Sequence, residues 1–248
     1  MSDNKKEMPI VSVCMATYNG EQYLYEQAKS IIDQLGVGDE LIVSDDGSTD
    51  KTIAILESFK DKRIKIFYNG GIKGPNGNFQ NALEQVSGDF IFLADQDDIW
   101  FDNKIAIMSS FLGKYDVVAC DCRIVDDNLN TLKESYFIHA RSGAGFFKNL
   151  KRNTYMGNSM AFKKELLPVI LPFPPNIPNH DLWIGVVADL FYRPYFIRQV
   201  LGLHRRHSSN ASNTFDIKIK ISFWKKLNKR ILVLRNLPRL LLRKFNSN

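Results

Sequence analysis

Phe90-Ile91-Phe92-Leu93-Ala94-Asp95-Gln96-Asp97-Asp98 sets five apolar residues directly before an acidic tetrapeptide. A short continuous apolar run is most comfortable as a buried strand. The acids then fall where that strand leaves the sheet. Side chains alternate along a strand, but in the turn beyond it Asp95 and Asp97 can converge on one hard cation through oxygen ligands. A plain acidic loop is the alternative for any isolated motif of this length.

Two more strand ends weigh against that alternative. Leu41-Ile42-Val43-Ser44 leads into Asp45-Asp46-Gly47-Ser48-Thr49-Asp50, and Ile10-Val11-Ser12-Val13-Cys14-Met15 into Ala16-Thr17-Tyr18-Asn19-Gly20. Ligands of open α/β sheets bind beyond the carboxyl ends of the strands, so the acidic clusters are expected in one crevice. A carboxylate there can accept hydrogen bonds from a base or ribose, and Thr17, Tyr18 and Asn19 could cup a nucleobase. One of Ser48, Thr49 and Asp50 is expected to cap a helix starting near Lys51. Asn-Gly also favours turns for backbone reasons alone.

Between these strands the apolar spacing is helical: Leu24, Ala28, Ile31, Ile32 and Leu35, then Ile53, Leu56 and Phe59, then Phe79, Leu83 and Val86. Ile64-Lys65-Ile66-Phe67 reads as a further strand, residues 102–112 as a helix with Ile105, Met108 and Leu112 inward, and Val117-Val118-Ala119-Cys120 as a strand. Strands alternating with helices predict an α/β fold with a mixed, mostly parallel central sheet. The loop from Asn69 to Gly77, with four glycines and Lys73, could reach a phosphate or be a bare turn. Residues 126–153 show little periodicity and are expected to be a mobile loop near an acceptor. Five prolines between Pro168 and Pro178 leave Asp181 near the start of a helix running through Trp183, Val187 and Leu190.

From about Ile10 to Asn210 the chain resembles the family-2 glycosyltransferases with the nucleotide-sugar-binding, Rossmann-like glycosyltransferase A fold. Thr17-Tyr18-Asn19, Ser44-Asp45-Asp46-Gly47-Ser48 and residues 88–100 carry the resemblance, and Asp-Gln-Asp-Asp-x-Trp is similar to bacterial rhamnosyltransferase-like members. The resemblance implies that Tyr18 lines the base pocket and that Asp46 binds the base with Asp45 beside it. Asp95 would approach the ribose or the metal, and Asp97 would ligate a Mg²⁺ or Mn²⁺ bridging the diphosphate. Thr17, Asn19, Gln96 and Lys73 join the donor contacts. The stretch around Gly157 and Asn158 resembles the lining of the sugar and acceptor pocket, with Trp100, His180 and Trp183 assigned to it. Asn179-His180-Asp181-Leu182-Trp183 resembles the segment carrying the catalytic base, which falls on Asp181. Residues 203–210 resemble a late loop over the diphosphate, implying roles there for Arg205 and Arg206, and His207 is placed near the metal or diphosphate or as a loop-shaping donor. The Gln-x-x-Arg-Trp motif of processive members is absent, which implies addition of a single sugar.

With 248 residues, 44% of them hydrophobic, the chain can bury one full core. Residues 1–9 read as a polar leader, 10–212 as the catalytic domain and 213–248 as a tail. The start lacks an apolar signal core and no stretch has the length of a membrane span, so a cytoplasmic enzyme is expected, peripheral on the inner face of the plasma membrane. Three cysteines, Cys14, Cys120 and Cys122, fit a reducing compartment, and Cys120-x-Cys122 is expected to pack on one strand face rather than bind zinc.

The net charge of +6 is concentrated at one end: residues 217–248 hold ten Lys or Arg and no acid, leaving 23 basic against 27 acidic residues elsewhere. In that tail Trp224, Leu227, Ile231, Leu234, Leu241 and Phe245 recur at helical spacing between basic residues. Such a basic amphipathic helix can lie in the headgroup region of an anionic membrane. Packing on the enzyme body or on another subunit is the alternative, Pro238 is expected to kink or break the helix, and no nucleic-acid reader motif accompanies the charge. The expected reaction is transfer from a nucleoside-diphosphate sugar, dTDP-rhamnose or a UDP-sugar, to a saccharide or lipid-linked saccharide. Asp181 would deprotonate the acceptor and the anomeric carbon would invert. A nucleotidyltransferase and a non-catalytic nucleotide-sugar-binding adaptor are the rivals.

Overall fold

The computed structural model describes residues 9–207 and 223–246. The polar leader through Met8, the loop residues Ser208, Ser209 and Asn210, and the start of the tail through Ser222 lie outside the described residues, as do the side chains of Phe223, Trp224, Lys225, Lys226, Leu227 and Lys229.

The chain runs β1 (Val11–Thr17), α1 (Leu24–Ile32), β2 (Glu40–Asp45), α2 (Thr52–Ser58), β3 (Ile64–Tyr68), α3 (Pro75–Leu83), β4 (Phe90–Asp95), β5 (Ile99–Trp100) and α4 (Lys104–Leu112). It continues through β6 (Val117–Val125), β7 (Thr131–Lys133), α5 (Tyr136–Ala140), α6 (Phe146–Lys151), β8 (Met160–Lys163), α7 (Leu167–Ile170), α8 (His180–Phe191), β9 (Pro194–Arg205) and α9 (Phe223–Asn246). One sheet holds the strands in the order β3-β2-β1-β4-β8-β6-β9-β5, with β7 beside β6. The first four are parallel, β8 runs antiparallel between β4 and β6, and β9 is parallel to β6.

Both faces are covered, so the central strands are apolar throughout. Val13, Met15, Phe92 and Ala94 face the layer of α1, α2 and α4. Cys14, Ile91 and Leu93 face α3, α7 and α8. Parallel register sets Thr17 level with Asp45 and Ala16 level with Asp95, which brings the ends of β1, β2 and β4 to one edge of the sheet.

Three expectations are corrected. Residues 126–153 carry β7, α5 and α6, because Ser135 caps α5 and Tyr136 and Ala140 are buried against β6. A register shift beside Cys120 separates the two cysteines of Cys120-x-Cys122: Cys120 joins the main core and Cys122 the cluster under α5. Helix α9 is not broken at Pro238, and it packs on the body, with Val233 against Leu182 and Val186, and Leu240 within the core beside α7 and α8. The tail thus packs on the body through Val233 and Leu240, whereas Ile231, Leu234, Leu241 and Phe245 of the expected stripe are exposed.

Candidate functional site

Beyond β4 the Gln96 carboxamide bonds the backbone of Tyr18 twice: Oε1 accepts from Tyr18 N at 2.8 Å and Nε2 donates to Tyr18 O at 3.0 Å. A side chain at Gly20 would meet Gln96 Oε1 at 2.4 Å, so a larger residue there would displace the Gln96 carboxamide. Asn19, in the left-handed region at φ 45°, donates through its amide to Ser48 Oγ and accepts from Thr49 N. The three strand-end loops are thus one cross-linked rim. On it the Tyr18 ring is 57% exposed, open to a flat ligand.

Asp45 is buried at the floor of this rim. It accepts from Thr17 Oγ1 at 2.9 Å, Ser48 Oγ at 2.5 Å, Gly47 N at 3.0 Å and Ser48 N at 2.8 Å. Buried backbone donors of a turn need acceptors, and Thr17 and Asp45 are occupied with supplying and aiming them. In this structure the two residues support the loop, with Asp45 beside the more outward Asp46. Asp46 stands further out, accepting from Asn69 Nδ2 at 2.8 Å and Gly74 N at 2.7 Å with Lys73 Nζ 3.5 Å away. Lys73 itself donates to the carbonyl of Asn69 at 2.7 Å, and 61% of its side chain is exposed.

The acidic turn divides into a ligand-facing part and a foundation. Asp98, which sequence reasoning passed over, is the foundation: it accepts from Asn158 Nδ2, lies 3.0 Å from His204 Nδ1, and accepts from Arg205 N at 3.0 Å. Burial would raise the Asp98 carboxyl, but the charge and hydrogen bond of His204 outweigh it and hold Asp98 low. Burial would likewise lower His204, and the Asp98 carboxylate reverses that. Above this pair, Asp97 Oδ2 lies 2.8 Å from His207 Nε2. Asp95 is pushed well above the usual carboxylate range by burial and then by the charges of Asp98 and Asp97, against the pull of His204.

Several assignments to the ligand pockets move into this foundation. Arg205 is buried, donating to Asp97 O at 3.1 Å and to Glu26 Oε2 at 2.6 Å beside the Tyr23 ring, so it props the turn. Arg206 is half-buried, its backbone amide donating to Val125 O at the end of β6 at 2.8 Å. Trp100 is buried in the core under the Lys104 ammonium, 4.2 Å from its ring, and Trp183 is buried with Nε1 donating to Ile170 O at 3.0 Å; both are corrected from sugar contacts to packing. Asn158 is buried too, between Asp98 and His204, and its carbonyl accepts from Lys104 Nζ at 2.8 Å.

Helix α8 brings the last carboxylate. Asn76, in the first turn of α3, donates to Ile177 O at 3.0 Å and accepts from His180 N at 2.8 Å, which fixes the entrance to α8. Asp181 follows, its Oδ1 accepting from Leu182 N. Its charge helps to raise both Asp95 and Tyr136, which places it within electrostatic reach of the acidic turn. Tyr136 is a second residue that sequence reasoning passed over: burial first, and then Asp181, push its phenol up. The His180 ring lies 4.1 Å from that of Phe79, and burial drives its pKa down to about 3, leaving a neutral imidazole. Gly157 lets it sit there, since a side chain at that position would meet His180 Nε2 at 2.6 Å.

Among the described residues no group of three or more His, Cys, Asp or Glu side chains is gathered as a ready metal cage. No described helix is long and apolar enough to cross a membrane.

The family model for glycosyl transferase family 2 matches residues 12–170. The chain is 37% identical over 182 residues to the Escherichia coli UDP-Glc:alpha-D-GlcNAc-diphosphoundecaprenol beta-1,3-glucosyltransferase WfgD, covering 73% of this chain and 70% of that protein. It is 32% identical over 237 residues to the Shigella flexneri dTDP-rhamnosyl transferase RfbG, covering 83% and 77%. The crystal structure of residues 1–349 of S. aureus TarS with UDP-GlcNAc superposes with a TM-score of 0.65 at 21% identity, over 81% of this chain and 60% of that one. The match spans only 43% of an uncharacterized glycosyltransferase of Haemophilus influenzae. The sheet, the rim of strand-end loops and the match over residues 12–170 agree: this chain belongs to glycosyl transferase family 2.

Proposed function

We propose that this protein transfers one sugar from a nucleoside-diphosphate sugar to a saccharide or lipid-linked saccharide acceptor, with inversion, in the assembly of a bacterial surface polysaccharide. The observation that supports the reading is the rim of three cross-linked strand-end loops, with the acidic turn beyond β4 and Asp181 within electrostatic reach of Asp95. The names of the two curated relatives support a UDP-sugar or dTDP-rhamnose as donor, and that of WfgD supports a diphosphate-linked acceptor.

In this reading Tyr18 stacks on the base, Asp46 accepts its hydrogen bonds, and Lys73 and Arg206 meet the diphosphate. Asp181 takes the proton of the attacking hydroxyl as the anomeric bond breaks on the opposite face. A divalent cation fits the acidic turn, because Asp95 is crowded by like charges that a cation would relieve and the donors are hard oxygens with one imidazole. Asp97 and Asp95 would hold Mg²⁺ or Mn²⁺, with His207 beside them, and the ion would neutralise charge growing on the leaving diphosphate. The basic tail would hold the enzyme at the inner face of the membrane, within reach of a lipid-linked acceptor.

Calorimetric titration with UDP, dTDP and GDP, each with and without Mn²⁺, tests the reading. Binding of at least one nucleotide, tightened by the metal, is expected; no binding of any of them refutes it.

A further inference from the structure

Helix α9 has two apolar faces. Val233, Leu237 and Leu240 turn inward onto the body. Ile231, Leu234, Leu241, Leu242 and Phe245 turn outward, with Leu242 65% and Phe245 77% exposed. The docked face is pinned at both ends: Arg230 donates to Lys151 O at 3.0 Å, and Arg243 to Pro172 O at 2.9 Å. The helix is therefore held against the catalytic domain with a row of large apolar side chains presented outward.

Beside that row lies a groove of about 320 Å³, between α9 and the loop before α8, lined by Pro175, Asn176, Leu232, Arg235, Asn236 and Arg239. Arg235 and Arg239 are exposed and neither forms an ion pair with an acid among the described residues. Burial, and then the charge of Arg239, depress the neighbouring Arg243, so the two guanidinium groups lie within electrostatic reach of each other. Asp181 follows Asn176 by only one short stretch of chain, so the groove adjoins the loop that leads to the proposed base.

We infer that α9 is a membrane seat: its outward apolar face enters the headgroup region of an anionic bilayer while Arg235 and Arg239 hold lipid phosphates in the groove. Apolar insertion and basic attraction are the two terms by which an amphipathic helix binds a lipid surface. A second copy of the chain is a poorer occupant, since pairing through α9 would bring together two tails with ten basic residues and no acid each. Because α9 is docked along its inner face, the seat would also fix the tilt of the crevice over the membrane. This deepens the proposed action on a lipid-linked acceptor and rests on that reading for its purpose.

Cosedimentation of the full chain with phosphatidylcholine vesicles, with and without phosphatidylglycerol, tests it. Pelleting that requires phosphatidylglycerol is expected. Replacing both arginines (R235A/R239A) is expected to lower partitioning about fivefold per charge removed, and L242D/F245D to lower it at both low and high salt. Unchanged melting temperatures are expected for both variants, as all four side chains are exposed. Pelleting indifferent to either pair, no pelleting, a melting temperature that drops sharply, or a dimer in light scattering that L242D/F245D dissolves would each overturn the seat. Nucleotide titration in parallel separates the readings: intact nucleotide binding without vesicle binding removes the seat alone, and the converse removes the transferase reading alone.

Discussion

Gln96 holds Tyr18 by both backbone groups, at 2.8 and 3.0 Å, so the acidic turn and the exposed aromatic ring of the rim are positioned by one side chain. Each such bond contributes about 1 kcal/mol. Replacing Gln96 with Ala is therefore expected to weaken nucleotide affinity by roughly tenfold while the melting temperature changes little. Gly20→Ala, which drives Cβ to within 2.4 Å of the same carboxamide, is expected to act in the same direction. Calorimetry on the two variants checks both.

The buried pair of Asp98 and His204 supports that turn from below. Removing one partner of a buried ion pair typically costs about 3–5 kcal/mol. Asp98→Ala is expected to lose that much in urea unfolding; a loss under about 1 kcal/mol would show that the pair carries no such load.

For the proposed metal site, Asp97→Ala is expected to abolish the Mn²⁺-dependent part of nucleotide affinity and keep the metal-independent part. Titration at matched nucleotide with and without Mn²⁺ reads this directly. Undiminished metal dependence would remove Asp97 from the ligand set.

Asp181→Asn is expected to fold, to bind donor, and to transfer sugar at least ~100-fold more slowly, the scale of a lost general base. Turnover within a few-fold of the parent would assign the base elsewhere. An adaptor without catalysis would show no turnover in the parent either.

Far from the crevice, Glu40 is buried at the start of β2, accepting from Ser12 Oγ at 2.5 Å, Ser87 N and Oγ at 2.8 Å, and Lys65 Nζ at 2.6 Å. Burial would raise its pKa, but these donors outweigh it and hold it at about 2 instead of 4.5. The contribution is at most about 3 kcal/mol, reduced by solvent screening at the half-exposed Lys65. The folded pKa is the lower one, so this stability is present above 4.5 and lost as pH falls toward 2. Urea unfolding across that window is expected to show a steeper decline for the parent than for Glu40→Gln; parallel curves would contradict it.

The strand ends were legible because continuous apolar runs mark buried strands and the acids follow them directly. Burial of the individual polar residues was not legible. Arg205 and Arg206 are adjacent and chemically alike, yet one is buried against Tyr23 and the other only half-buried beyond the last pair of β9 with β6. Trp100 and Trp183 suited a sugar pocket by type, but neighbouring helices enclose them. Asp98 and Tyr136 gained their places from partners distant in sequence, His204 and Asp181, which local pattern cannot reveal. Residues 126–153 hid short elements because helices of five or six residues show too little periodicity to register.

The docking of α9 bears on how the protein can be handled. Val233 and Leu240 are fully buried against the body, and burying each such side chain is worth about 1.5–3 kcal/mol. A shortened version ending before Phe223 would leave an apolar trough over α7 and α8, exposing Leu182 and Val186 to solvent. Such a fragment would be expected to express poorly and clump in the test tube, so shortening the chain to gain solubility would have the opposite effect.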